Sequence, residues 1–173
     1  KLETPAEVAA IYRSLTRTEL IRDLYEVIGE TTAPLNGLRA DVRSRETNLG
    51  RLAADSTLWF ARNYVSENGL EIPVDIALKN GGGIRSNING PAILQLQVEA
   101  ALAFNNKLGI LPVTADQLIA SMENAVSRYP ARDGRFPQIA GMFLEYDPEK
   151  EGVSDQISLS VPSRLKTLIV YRQ

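Results

Sequence analysis

Three consecutive glycines interrupt this chain directly after its most strand-like run. Val74-Asp75-Ile76-Ala77-Leu78 is short, rich in β-branched residues and reads as an interior strand. It runs straight into Asn80-Gly81-Gly82-Gly83-Ile84-Arg85. Such a run permits φ > 0 and leaves the N–H groups of Gly81, Gly82 and Gly83 open to a ligand. Arg85 behind it offers a planar fork for a phosphate or a carboxylate. A flexible turn that needs no side chains is the alternative reading. Two phosphate-binding motifs are excluded. The Lys-Ser/Thr ending of a P-loop is missing, and the glycine spacing is not that of the dinucleotide fingerprint.

Helical and strand-like patterns alternate around that turn. Thr4-Pro5-Ala6-Glu7 is a capping box with proline at the first helical position, and Val8, Ile11, Tyr12 and Leu15 extend it to a helix over 5–16. A strand is predicted over 24–31, ended by the turn residues Pro34-Leu35-Asn36-Gly37. Thr47 or Asn48 caps a second helix that Asn68-Gly69 stops. Its Leu49, Leu52, Ala53, Trp59, Phe60 and Val65 fill much of the circumference, which predicts deep burial. A short helix over 98–102 and a strand over 108–113 follow, with Pro112 placing the strand at an edge or near its end. Thr114-Ala115-Asp116-Gln117 is another capping box, continued by Leu118, Met122, Ala125 and Val126. Strands are predicted over 138–146, 155–161 and 165–171. The pattern predicts an α/β fold bordering on α+β, a layered mixed β-sheet with packed helices.

At 173 residues the chain suits one domain. It begins inside helix-like sequence and stops after a strand-like run, so it is expected to be a piece of a longer protein. It shows no signal-peptide pattern and no apolar run of the roughly 18 residues that a spanning helix needs. It contains no histidine and no cysteine. That excludes a Ser-His-Asp arrangement, a cysteine nucleophile and a thiolate zinc site built from this chain alone. Nineteen basic against twenty-one acidic residues give a net charge of -2, so no basic field points to nucleic acid. A role in catalysis would be to bind substrate while another domain does the chemistry.

Two further segments can carry recognition. In Val42-Arg43-Ser44-Arg45-Glu46-Thr47-Asn48-Leu49-Gly50, two arginines lie just before a helix N-terminus, which also favours anions. A solvated charge cluster with a good cap explains the same residues. In Ala103-Phe104-Asn105-Asn106, a loop aromatic beside two amides could stack a base and bond its edge. A core phenylalanine with turn asparagines is the alternative.

The segments VRSRETNLGRLAAD, DIALKNGGGIR, AFNNKLGILPVTADQLIASMENAV and GRFPQIAGMFLEYDP, in that order, resemble the C-terminal domain of the 5′-nucleotidase family. That family includes the bacterial UDP-sugar hydrolase/5′-nucleotidases and the animal ecto-5′-nucleotidases. The resemblance covers nearly everything from residue 25 onward. It implies an interdomain helix or linker remnant over 1–24 and a nucleotide-binding domain over 25–173. The implied partner is an N-terminal metallophosphatase domain of the same polypeptide, holding two divalent metal ions and a catalytic His-Asp pair, with no cofactor in this chain. The implied reaction is hydrolysis of nucleoside 5′-phosphates or nucleotide sugars, in the periplasm or outside the cell. No nucleic acid and no membrane segment are expected.

Residue by residue, the resemblance implies that Arg43 and Arg85 contact the substrate phosphate and that Asn80 lies next to the ribose. Phe104 matches one of two phenylalanines that sandwich the base. Asn106 matches an asparagine at the base edge in some members, and Gly141 lies in a strand segment whose backbone can face the base. The family usually has proline before that phenylalanine and glycine after it, where this chain has Ala103 and Asn105. The second phenylalanine belongs to a Gly-Gly-Asp-Gly segment that this sequence lacks, so half the base sandwich is expected here. The competing expectation is a scaffold domain that only closes over a phosphoesterase of another substrate, such as a cyclic nucleotide, a sugar phosphate or a sulfur ester.

Overall fold

In the computed structural model, which describes residues 23–152 and 164–171, helices alternate with short strands. In chain order these are β1 (Val27–Glu30), α1 (Arg39–Val42), α2 (Asn48–Glu67), β2 (Ala77–Asn80), a 3-10 turn (Gly81–Gly83), β3 (Ala92–Leu94), α3 (Gln95–Ala101), α4 (Ala115–Val126), β4 (Pro137–Ala140), β5 (Met142–Tyr146) and β6 (Leu165–Val170). The strands form antiparallel pairs, β1 with β3, β2 with β4 and β5 with β6. The expected α/β mixture is present, with small ladders in place of one broad sheet. The helix expected over 5–16 and the strand expected over 155–161 lie outside the described residues.

Thr47 is the cap of α2, its hydroxyl accepting from the Gly50 N–H at 3.0 Å. Gly69, at φ 62°, follows the helix end, as the Asn68-Gly69 pair predicts. The expectation of burial all round is corrected. Leu49, Ala53, Ala54, Leu58, Ala61 and Val65 are buried, whereas Leu52, Trp59 and Phe60 are 50%, 65% and 55% exposed. The buried stripe uses small residues, Gly50, Ala53, Ala54 and Ala61, which let the β2–β4 ladder lie close against the helix. The large side chains are left outside. Trp59→Ser should therefore change the unfolding free energy of this chain by less than about 0.5 kcal/mol in chemical denaturation. A loss of about 3 kcal/mol or more would place Trp59 in the core.

The expected interior strand over 74–78 starts three residues later, and among the described residues β2 pairs on one side only, with β4. Arg62 of α2 takes the preceding carbonyls, its Nε donating to Val74 at 2.8 Å and its Nη2 to Asp75 at 3.4 Å. Those carbonyls are held by the helix, and the ladder ends at the pair Ala77–Ala140. Gly141 follows at φ 73°, in a backbone conformation that side chains disfavour, and a Cβ there would overlap the Asp75 carbonyl. This turn splits the expected strand over 138–146 into β4 and β5. The segment 108–113 is not a strand. Its Pro112 lacks an N–H, no strand among the described residues pairs with it, and Leu108, Leu111 and Val113 are exposed. The capping box of α4 closes both ways, Gln117 N–H donating to the Thr114 hydroxyl at 3.2 Å and Thr114 N–H to the Gln117 side chain at 2.9 Å.

Val42, Leu49, Ala53, Ile84, Ile88 and Ala101 form one buried cluster, and Ala54, Leu58 and Ala140 a second. Near the chain's end, buried Glu123 of α4 accepts from the N–H groups of Arg164 and Leu165 at 2.9 and 3.0 Å. The Arg164 guanidinium donates to the carbonyls of Val126 and Tyr129. These bonds dock the start of β6 on α4.

Candidate functional site

Val42 and Ile84 belong to the same core cluster and are 0% and 2% exposed. An arginine follows each, so Arg43 and Arg85 leave the core from neighbouring points. The glycine turn makes this approach possible. A Cβ on Gly81 would overlap the Val42 carbonyl oxygen, and one on Gly82 would lie 3.0 Å from the Gly134 Cα. The reading of the N–H groups as open to a ligand is corrected for Gly81 and Gly82, and the run does not use the positive φ it permits. Among the described glycines, Gly69 and Gly141 are the ones with positive φ. The Gly81 N–H donates to the Phe136 carbonyl at 2.7 Å and the Gly82 N–H to the Gly134 carbonyl at 2.8 Å. The triple glycine is a close-packing device between α1, the turn and the 134–136 segment.

Around that contact four of the expected side chains come together. The Arg43 guanidinium lies beside Gly134, where an added Cβ would come within 3.7 Å of its Cζ. The Asn80 amide donates to the Gly134 carbonyl at 3.3 Å. Arg85 donates from Nη1 to the Gly82 carbonyl at 3.1 Å, while its own N–H is fixed on the Ala101 carbonyl at 2.8 Å. Its Cζ lies 5.5 Å from the centre of the Phe104 ring, a cation–π contact, and that ring is half exposed. Asn106 is tied to this loop by its N–H, which donates to the Phe104 carbonyl at 2.8 Å. Gly141 is not brought into the group. It follows the Ala77–Ala140 end of the β2–β4 ladder, whereas the glycine turn continues from the Asn80–Pro137 end. Its glycine is accounted for by the turn against Asp75.

The group is electrostatically unbalanced. Among the described residues neither Arg43 nor Arg85 forms an ion pair. The Arg43 Nε is buried without a hydrogen-bond partner. Burial, first, and then the positive charges of Arg39 and Arg85 hold the Arg43 pKa below its usual value, with Asp133 opposing. A guanidinium stays protonated at neutral pH regardless. Two converging cations and an unsatisfied buried donor suit an anion with several oxygens.

Arg39 is a residue that the sequence patterns did not single out. It stands four positions before Arg43 on α1 and adds like charge to it. The Arg-x-x-x-Arg spacing is the available signal, but a four-residue helix gives no hydrophobic period to place it. Among the described residues no group of three or more His, Cys, Asp or Glu could hold a metal ion.

Residues 27–169 match the family described as "5'-nucleotidase, C-terminal domain". The chain is similar to the trifunctional nucleotide phosphoesterase protein YfkN of Bacillus subtilis (strain 168), 36% identical over 121 residues, which cover 70% of this chain and 8% of that protein. It is also similar to a snake venom 5′-nucleotidase of Naja atra, 29% identical over 163 residues covering 92% of this chain and 30% of that protein. The crystal structure of a 5′-nucleotidase precursor from Thermus thermophilus superposes with a TM-score of 0.76 at 32% identity, over 95% of this chain and 29% of that one. The chain thus spans less than a third of the length of each of these relatives.

Proposed function

Because this chain belongs to the 5′-nucleotidase C-terminal domain family, we propose that it is the substrate-gripping part of a nucleotidase and takes a nucleoside 5′-phosphate. The supporting observation is the pair of arginines, Arg43 and Arg85, without carboxylate partners among the described residues, on either side of the Gly82–Gly134 contact, with Phe104 seated on the second. Arg43 and Arg85 would hold the phosphate oxygens by charge-assisted hydrogen bonds. Phe104 would stack on the base, with Asn106 at the base edge. Asn80, at the end of β2, would face the ribose. The contact between Arg85 and Phe104 would keep the phosphate and base sites at a fixed separation, so the chain contributes orientation and charge neutralisation.

The residues of this chain do not fit a metal ion, having no histidine, no cysteine and, among the described residues, no acidic cluster. In this reading a metallophosphatase domain on the same polypeptide supplies a metal-activated hydroxide. The chain alone should then bind AMP without turning it over. The venom relative supports action outside the cytoplasm.

The test is an NMR titration of the labelled chain with AMP, watching the guanidinium signals of Arg43 and Arg85 and the Phe104 ring. All three should move together along one saturable curve, weaker than micromolar because Phe104 is the one aromatic assigned to the base. Saturable shifts confined to other residues, or micromolar affinity, would overturn the assignment.

A further inference from the structure

We infer that Gln138 is a positioning residue that sets where Arg43 points. The inference rests on the phosphate-gripping role proposed for Arg43. Gln138 lies on β4 and is 1% exposed. Its Nε2 donates to the Val42 carbonyl at 3.1 Å and to the Arg45 carbonyl at 2.8 Å. Its Oε1 accepts from the Thr47 N–H at 3.2 Å. One side-chain amide therefore binds the backbone on both sides of Arg43, from a strand more than ninety residues away in sequence. Both of its N–H donors are used.

The surroundings are shaped to receive this amide. Gly50, in the first turn of α2, has no side chain, and a Cβ there would overlap the Gln138 amide. The Val42 carbonyl that accepts from Gln138 is also the atom against which Gly81 packs. Gln138 faces Lys79 across the β2–β4 ladder, one pair before Asn80–Pro137, where β2 passes into the glycine turn and Arg85. The same side chain thus ties the α1–α2 corner carrying Arg43 to the ladder carrying Asn80 and Arg85. Among the described residues Arg43 has no ion pair to orient it, so its direction depends on this backbone.

The expected effect is on substrate capture rather than on chemistry in general. Gln138→Met keeps the volume and removes all three hydrogen bonds. In the enzyme formed by this chain and its metallophosphatase domain on one polypeptide, it should lower kcat/KM for AMP by about tenfold or more, since small misplacements of a binding group are costly. Gln138→Asn, with a shorter amide and a milder packing change, gives a second reading if the Met variant does not fold. Because the residue acts through Arg43, the loss should largely vanish in an Arg43→Ala background, and the double variant should match Arg43→Ala. Thermal unfolding separates this from stability, because a lowered melting temperature should persist in the double variant while the kinetic loss does not. Kinetic losses that add independently of Arg43, or a folded Gln138 variant with unchanged kcat/KM, would overturn the positioning role. An Arg43→Ala enzyme with unaltered kcat/KM would overturn the proposed function itself, and the positioning role with it.

Discussion

Arg43→Ala is expected to lower kcat/KM for a nucleoside 5′-phosphate by about a hundredfold in the proposed enzyme, in which a metallophosphatase domain is joined to this chain. A hydrogen bond to a charged group contributes about 1.5–3 kcal/mol, and each 1.36 kcal/mol is a factor of ten in rate. The Arg43 side chain is half-buried, so the interaction of its guanidinium with an incoming phosphate is less screened than at an open surface. Stability should move in the opposite sense or not at all. Arg43 is held at a cost, since its burial and the charges of Arg39 and Arg85 all disfavour its charged form. Removing it relieves that repulsion, and thermal unfolding of the Arg43→Ala chain should occur at the parent temperature or above. Arg43→Lys should fall between the two in activity, keeping the charge while losing the planar fork. A variant that loses stability while retaining KM and kcat would show that Arg43 is structural.

The elements that could be read from sequence are those whose signals are local. Thr114 caps where its own residue type and Gln117 three positions on predict it, Thr47 is one of the two caps that residue type offered for α2, and Gly69 ends α2 through its own backbone conformation. The failures share a different cause. Trp59 and Phe60 read as core because they are large and apolar, but the helix is seated on its alanines by a ladder assembled from distant segments. The 108–113 run has strand composition, yet a strand needs a partner and none of the described strands pairs with it. The candidate site shows the same division. Arg43, Asn80, Arg85 and Phe104 stand out as residue types in motifs, and the family resemblance names them. Gln138 carries no such signal, because a glutamine on a strand says nothing of three backbone partners on another element. The glycine turn hides its role for the same reason. The N–H groups of Gly81 and Gly82 are consumed by Phe136 and Gly134, which lie over fifty residues away.

Gly81→Ala tests that reading of the glycine turn, and it should be among the most damaging single-methyl changes in the chain. The added Cβ would overlap the Val42 carbonyl oxygen and lie 3.1 Å from the Phe136 carbonyl oxygen. Both are backbone atoms, so no flexible side-chain end can swing away. Either α1 must withdraw from the turn or the β2–β4 ladder must shift, and each move opens the core cluster at Val42 and Ile84. Overpacking of this kind costs about 1–3 kcal/mol or somewhat more. In a chain of this size, about 3 kcal/mol corresponds to a fall of roughly 6–12 °C in Tm. The matched control is Gly109→Ala, where an added Cβ meets nothing within 4 Å. That change should stay within about 0.5 kcal/mol of the parent, since the site is open. The two substitutions add the same methyl group, so the difference between them isolates the close approach at Gly81. It also bears on recognition. If α1 withdraws, Arg43 moves relative to Arg85, and a folded Gly81→Ala enzyme should lose kcat/KM for AMP as well as stability. Equal melting temperatures for the two variants would show that the turn has slack, and that the convergence of Arg43 and Arg85 does not depend on the missing side chain.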